Sequence, residues 1–273
     1  MKKKITQHPL PLFSESAIRY RPEDIVRNVR ALIRMHKEGK LGGTIMPEDA
    51  RPNSIPPNSA DNYHFLTLPM ALNYQRNSYA LWRSAAATYL AYNYRDVFRP
   101  RQVVDMSEGE LREKLSAFRL AIQTNRHPAI WRRISGAIVD LLDGDIRNLF
   151  IALNDDVLRI KEFVQKQHKR RFPYLSGEKI CNYWLYVIDT YTPTTLLNRH
   201  KITIAPDTHV IKASVRLGLI SDEEYAQTHR GKVAQLWEEV LSGTGIAPID
   251  VHTPLWLWSR AGFPAIELGD DEA

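Results

Sequence analysis

Apolar residues recur along nearly the whole chain at intervals of three and four, the spacing of a helix that buries one face. No stretch alternates apolar and polar positions for more than a few residues, and nothing repeats at a fixed period. Ile25, Val26, Val29, Leu32 and Ile33 predict a first helix, opened by Pro22 and closed near Gly39 and Gly42. Pro47, Pro52, Pro56 and Pro57 then mark a loop between lobes. The aromatic, alanine-rich segment from Asn62 to Tyr94 reads as two helices broken near Arg76-Asn77-Ser78. Ser107 with Glu110 forms a capping box for a helix carrying Leu111, Leu115 and Phe118. Pro128 opens another, with Ile130, Ile134, Ile138 and Leu141 on its buried side.

The pattern sharpens from Asn154. Val157, Leu158, Ile160, Phe163 and Val164 predict a helix that runs into the basic cluster Lys166, Lys169, Arg170 and Arg171. The tight segment Phe172-Pro173-Tyr174-Leu175-Ser176-Gly177 follows, and a new helix begins near Glu178 with Ile180, Trp184, Val187 and Tyr191. Ile202-Thr203-Ile204 leads through Pro206-Asp207 into a helix that ends near Gly218. Ser221 with Glu224 forms a second capping box. Val233, Leu236, Trp237, Val240 and Leu241 form a stripe stopped by Gly243 and Gly245. A last helix after Pro248 carries Leu255, Trp256, Leu257 and Trp258.

Composition narrows the class. At 273 residues, 44% hydrophobic and 25% charged, the chain can bury a proper core and is not mostly disordered. The single Cys181 excludes a disulfide framework, a four-cysteine zinc site and a four-thiolate iron–sulfur cluster. No apolar run reaches the roughly 18 residues of a membrane span, and Met1-Lys2-Lys3-Lys4 is not followed by the apolar stretch of a signal peptide. A soluble, cytoplasmic, nucleoid-associated protein is expected. The net charge of +6 survives removal of both tails, because the three lysines at one end cancel Asp270, Asp271 and Glu272 at the other. A basic interior and a pI near 9.3 point to a polyanion, nucleic acid first.

Three features could carry chemistry. Leu175-Ser176-Gly177 ends at a helix start, where backbone N–H groups lack intrahelical partners and can cradle a phosphate. The upstream cations would add sequence-blind affinity. Read structurally, this is a helix connection with a solvated basic end. Lys179 lies in the first turn of that helix, where aromatic neighbours and the positive helix end would favour its uncharged, nucleophilic form; otherwise it is a solvent-facing lysine. Asp207 is an N-cap or a carboxylate facing the same cleft as Lys179; from 179 to 207 the chain has room for a helix, a loop and a return.

Taken together, Leu175-Ser176-Gly177-Glu178-Lys179, Pro206-Asp207-Thr208-His209-Val210 and Arg216-Leu217-Gly218-Leu219 resemble the helix–hairpin–helix DNA glycosylase superfamily. The resemblance implies an all-α, two-lobed fold with a central cleft, Lys179 as nucleophile, Asp207 as the essential carboxylate, and Leu175, Ser176 and Gly177 on the DNA backbone. The iron–sulfur endonuclease branch needs four cysteines and is excluded. Leu236-Trp237-Glu238-Glu239-Val240, Thr244-Gly245-Ile246-Ala247-Pro248 and the block from His252 to Arg260 look like the archaeal-type 8-oxoguanine DNA glycosylases. That branch implies a base pocket of Trp82 and Trp256, with His252 where the branch has an acidic base-reading residue.

The expected organisation is an N-terminal extension over residues 1–60, a two-lobed glycosylase domain over 61–262 with its hairpin at about 157–192, and an acidic tail over 263–273. The implied activity is excision of a modified base from double-stranded DNA by lysine Schiff-base chemistry, 8-oxoguanine favoured, by a monomer without metal or cofactor. The alternatives are another modified base, including a bulky virus-type base; a free modified nucleotide; and a non-catalytic DNA-binding module.

Overall fold

The computed structural model describes residues 21–41, 46–74, 76–221 and 230–269. Expectations for Lys2 to Lys4, Gly42, Glu224 and the acids 270–272 lie outside them. The described residues hold α-helices and short 3-10 turns with no strand, confirming the all-α class. They divide into two compact units, one formed by residues 44–205 and the other by residues 1–43 with 206–273.

In the larger unit, α2 (Ala60–Leu72) is the centre. All its residues from Asn62 to Leu72 are buried, so it is apolar on every side and its few polar groups must be satisfied internally. They are: the Asn62 amide donates to the carbonyls of Pro57 and Tyr191, and the Thr67 hydroxyl donates to the Tyr63 carbonyl and accepts from the Trp184 indole. Around it lie α3 (Ser78–Leu90), α6 (Arg126–Leu142) and α9 (Glu178–Tyr191). The break between α2 and α3 falls where expected, with Asn77 capping α3 through the N–H of Ala80. Ser107 caps α5 (Glu108–Ala117) through the N–H of Glu110. Two six-residue helices, α4 (Pro100–Asp105) and α7 (Arg147–Ala152), were not anticipated. The helix α8 (Val157–Lys161) passes into a π-helical turn, Glu162–Gln167, before the hairpin.

In the other unit, α1 (Pro22–Lys37) and α10 (Thr208–Arg216) each pack on α11 (Arg230–Leu241) and α12 (His252–Arg260). The segment read as an N-terminal extension is therefore shared: α1 belongs with the C-terminal helices, and the proline-rich stretch belongs with the larger unit. The beginning of the expected tail is tied down as well. Arg34 donates to the Glu267 carbonyl, and Lys40 pairs with the Glu267 carboxylate at 2.7 Å.

Two buried histidines in the larger unit act as neutral acceptors. His64 Nε2 takes the Ile146 N–H at the start of α7, and His127 Nδ1 takes the Ile122 N–H. Burial lowers each from 6.5 to about 4, with Arg76 and Arg126 adding to the effect at His127. The unfolded chain therefore binds more protons between these values, and stability is lost as pH falls from 6.5 towards 4. Buried Glu48, raised to about 7, acts in the opposite sense, and the two histidines outweigh it. The thermal midpoint should fall as the pH is lowered from 6.5 to 4, and His64→Gln should flatten that fall; an unchanged slope in the variant contradicts the assignment.

Candidate active site

The hairpin of the larger unit is built on a buried anchor. Phe172 and Leu175 are fully buried, and Tyr174 takes the left-handed conformation (φ 62°) that reverses the chain. Gly177 has an ordinary φ of −67°, and a Cβ there would lie 3.1 Å from the Tyr174 carbonyl oxygen, a tight contact that glycine avoids. This corrects one expectation. The N–H groups of Leu175, Ser176 and Gly177 bond inside the turn, to the carbonyls of Pro173, Phe172 and Tyr174. The open donors are one step further on, at Glu178, Lys179 and Ile180, the first turn of α9, which has no side-chain cap.

Lys179 is exposed at the second position of α9, and its amine has no hydrogen-bond or ion-pair partner among the described residues. The basic cluster is half neutralised: Lys166 pairs with Glu162 at 2.7 Å and Arg171 pairs with Asp140, leaving the exposed Lys169 and Arg170 side chains as the cations beside the turn. Sequence reading missed what stands next to the hairpin. Tyr74 packs on Tyr174 with ring centroids 5.2 Å apart, and the Arg126 guanidinium lies over the Tyr174 ring at 5.0 Å.

A buried amide fixes this arrangement. Asn182, one turn beyond Lys179 on α9, accepts from Lys161 Nζ of α8 (3.0 Å) and from the Thr203 N–H (3.2 Å). It donates to the Glu178 carbonyl (3.0 Å) and to Thr203 Oγ1 (2.7 Å). All four of its hydrogen-bonding positions are filled. Thr203 precedes Asp207 by four residues in the chain.

In the smaller unit, Asp207 is the N-cap of α10. Its Oδ1 accepts from the N–H groups of His209 (2.9 Å) and Val210 (3.0 Å), while Oδ2 has no partner among the described residues. The cap therefore uses one oxygen and leaves the second without a described donor. His209, two residues on, is a residue to which sequence reading gave no role. His209 Nδ1 is 3.1 Å from Ser259 Oγ, its ring meets the Trp256 ring edge-on at 5.9 Å, and Arg260 covers one face of Trp256 at 4.5 Å. Trp256 is half-buried and His252 is buried at the start of α12.

Trp82 is a correction. Its ring is 0% exposed in the core of the larger unit, 6.0 Å from Phe65, and its indole N–H has no acceptor among the described residues. No face of it is open to a stacked base. Among the described residues no group of three or more histidine, cysteine or carboxylate side chains could hold a metal ion, and no helix is long and apolar enough to cross a membrane.

Comparison with known proteins gives a likeness of fold. No family model matches the chain, and no curated protein matches it. Among solved structures, the chain is similar to a trapped endonuclease III–DNA covalent intermediate in an estranged-adenine complex. The identity is 15% and the TM-score 0.53, over 88% of this chain and 87% of that one. The architecture is that of the endonuclease III fold; the comparisons do not support the archaeal-type 8-oxoguanine branch.

Because Asn182 serves α8, α9 and the Thr203 segment at once, Asn182→Ala should lower stability by about 2–4 kcal/mol in urea denaturation, stranding several polar groups; a loss below about 0.5 kcal/mol contradicts this role.

Proposed function

We propose that this protein is a DNA N-glycosylase with strand-cleaving lyase activity that acts through Lys179 and Asp207. One observation carries the reading: an exposed, unpartnered Lys179 amine stands in the uncapped first turn of a hairpin-borne helix. The likeness of fold to a protein trapped in covalent linkage to DNA supports it. In this reading a backbone phosphate settles on the N–H groups of Glu178, Lys179 and Ile180, and Lys169 and Arg170 add salt-dependent affinity. The target base leaves the stack at a cost of a few kcal/mol, least for a damaged pair.

Lys179 Nζ, as the free amine, attacks C1′ of the deoxyribose. The N–C1′ bond forms as the glycosidic bond breaks, and the departing base takes up a proton. The unused Oδ2 of Asp207 stabilises the positive charge on the sugar and receives the amine proton. Ring opening gives a Schiff base, and loss of a C2′ proton then expels the 3′ phosphate, which nicks the strand. Trp256 offers a stacking surface, worth roughly 1–3 kcal/mol, with His252 nearby on the same helix. The proposed partner is double-stranded DNA bound by a monomer, and the favoured base is 8-oxoguanine.

The burial of Trp82 favours a second reading within the same chemistry. With one wall of the expected aromatic sandwich unavailable, the excised base is a different modified base, including a bulky virus-type one.

Borohydride should trap the protein on duplex carrying 8-oxoguanine or another base from a lesion panel, and Lys179→Ala should abolish the adduct. Asp207→Asn keeps a good cap, so it should retain the fold and DNA binding while lowering excision roughly 10²–10³-fold. DNA binding by folded protein with no adduct or released base on any lesion would instead make this a binding module and overturn the proposal.

A further inference from the structure

Several arginines in the larger unit have acceptors. Arg76 donates to the carbonyls of Leu120 and Arg119, Arg132 to those of Val104 and Met106, Arg147 pairs with Asp145, and Arg199 with Asp189. Arg95 and Arg99 differ. They line a cleft of about 660 Å³ in the larger unit, together with Tyr92, Asn93, Gln102, Lys114 and the carboxylates Asp96 and Glu113, which the three cations outnumber. The half-buried Arg95 guanidinium touches the Tyr92 ring, 5.2 Å from its centroid, and donates to no described group. For Arg99, also half-buried, the nearest carboxylate oxygen is Asp61 Oδ2 at 3.9 Å, beyond hydrogen-bond reach and already accepting from the Tyr89 hydroxyl. Lys114, by contrast, is held by Asp96 and Glu110.

Two guanidinium groups with five N–H donors each, partly withdrawn from water and donating no hydrogen bond to a described residue, form an incomplete arrangement that an anion would complete. The planar fork of arginine matches phosphate with two parallel bonds. Beside them, Tyr92 is 79% exposed, an aromatic ring that the end of α3 presents to solvent next to a cation. The side-chain amides of Asn93 and Gln102 also have no partners among the described residues and can donate to or accept from a base edge. The polar lining excludes a greasy ligand. Phosphate-binding forks, an open aromatic ring and free amides within one cleft of ligand size together describe a nucleotide.

We infer that the Tyr92–Arg95–Arg99 cleft binds a nucleotide, its phosphate on the two guanidinium groups and its base on the Tyr92 ring. The ligand is either a free mononucleotide or one unit of a single strand. The inference stands apart from the glycosylase reading, since none of these residues belongs to the hairpin, Lys179 or Asp207.

The test uses the full chain carrying Lys179→Ala, so that no strand is cut during the measurement. Its binding to a fluorescein-labelled oligothymidylate of about 15 nucleotides is followed by anisotropy at several salt concentrations, with dTMP and inorganic phosphate as competitors. The double variant Arg95→Ala/Arg99→Ala should weaken binding at least about tenfold and reduce the salt slope by about 0.7, the value for one single-strand phosphate contact. Tyr92→Ala should weaken it about fivefold or more, and Tyr92→Phe should restore it. Competition by dTMP assigns the site to free nucleotides; binding of the oligonucleotide without competition assigns it to a strand. The proposal is overturned if variants with unchanged circular dichroism bind like the parent, or if inorganic phosphate competes as well as dTMP.

Discussion

The geometry around the hairpin depends on one buried side-chain amide. Asn182 ties an ammonium group from α8, a carbonyl from the first turn of α9 and the N–H and hydroxyl of Thr203 into one satisfied network. In a low-dielectric interior such bonds are stronger than in water, and a missing partner is correspondingly costly. The hairpin is the connection between α8 and α9, so fixing those helices against each other fixes the angle at which the turn leaves and returns. Phe172 and Leu175 then hold the turn from below. The result is a helix start whose N–H donors and whose Lys179 side chain both lie open to solvent.

Much of this was legible in the helical period of the sequence. The α2–α3 break, the Ser107 cap, the stripe in α11 and the helix–hairpin–helix outline are local patterns, and local patterns survive folding. The errors came at the edges of faces. Leu141 was expected inside and is exposed, because α6 buries the run Ile130, Ile134, Ile138 and Leu142, spaced by four throughout, up to the left-handed Asp143. Leu158 is exposed for a similar reason: α8 is only five residues long before the π-helical turn shifts the register. The six-residue α4 and α7 are too short to display a full period.

The site was legible in part. Lys179 at an open helix start and Asp207 at a cap are both positions that sequence places well, and the cap turns out to consume only one carboxylate oxygen. Trp82 was misread, since a tryptophan that walls a pocket and one that fills a core have the same neighbours in sequence. The donors of the hairpin were misassigned by one step, because turn bonds made by Leu175, Ser176 and Gly177 depend on the left-handed Tyr174, which no glycine announced. Arg95 and Arg99 were invisible for a different reason. Whether an arginine is satisfied is decided by acceptors contributed from elsewhere in the fold, so an unfilled guanidinium can be found only in three dimensions.

The central claim is that one particular amine forms a covalent bond to the sugar while a carboxylate supports it. Peptide mapping by mass spectrometry of the borohydride-reduced adduct tests this directly. The account predicts a single modified peptide with the reduced deoxyribose on Lys179. Modification of Lys166, Lys169 or the terminal lysines instead, with Lys179 recovered intact, would contradict it.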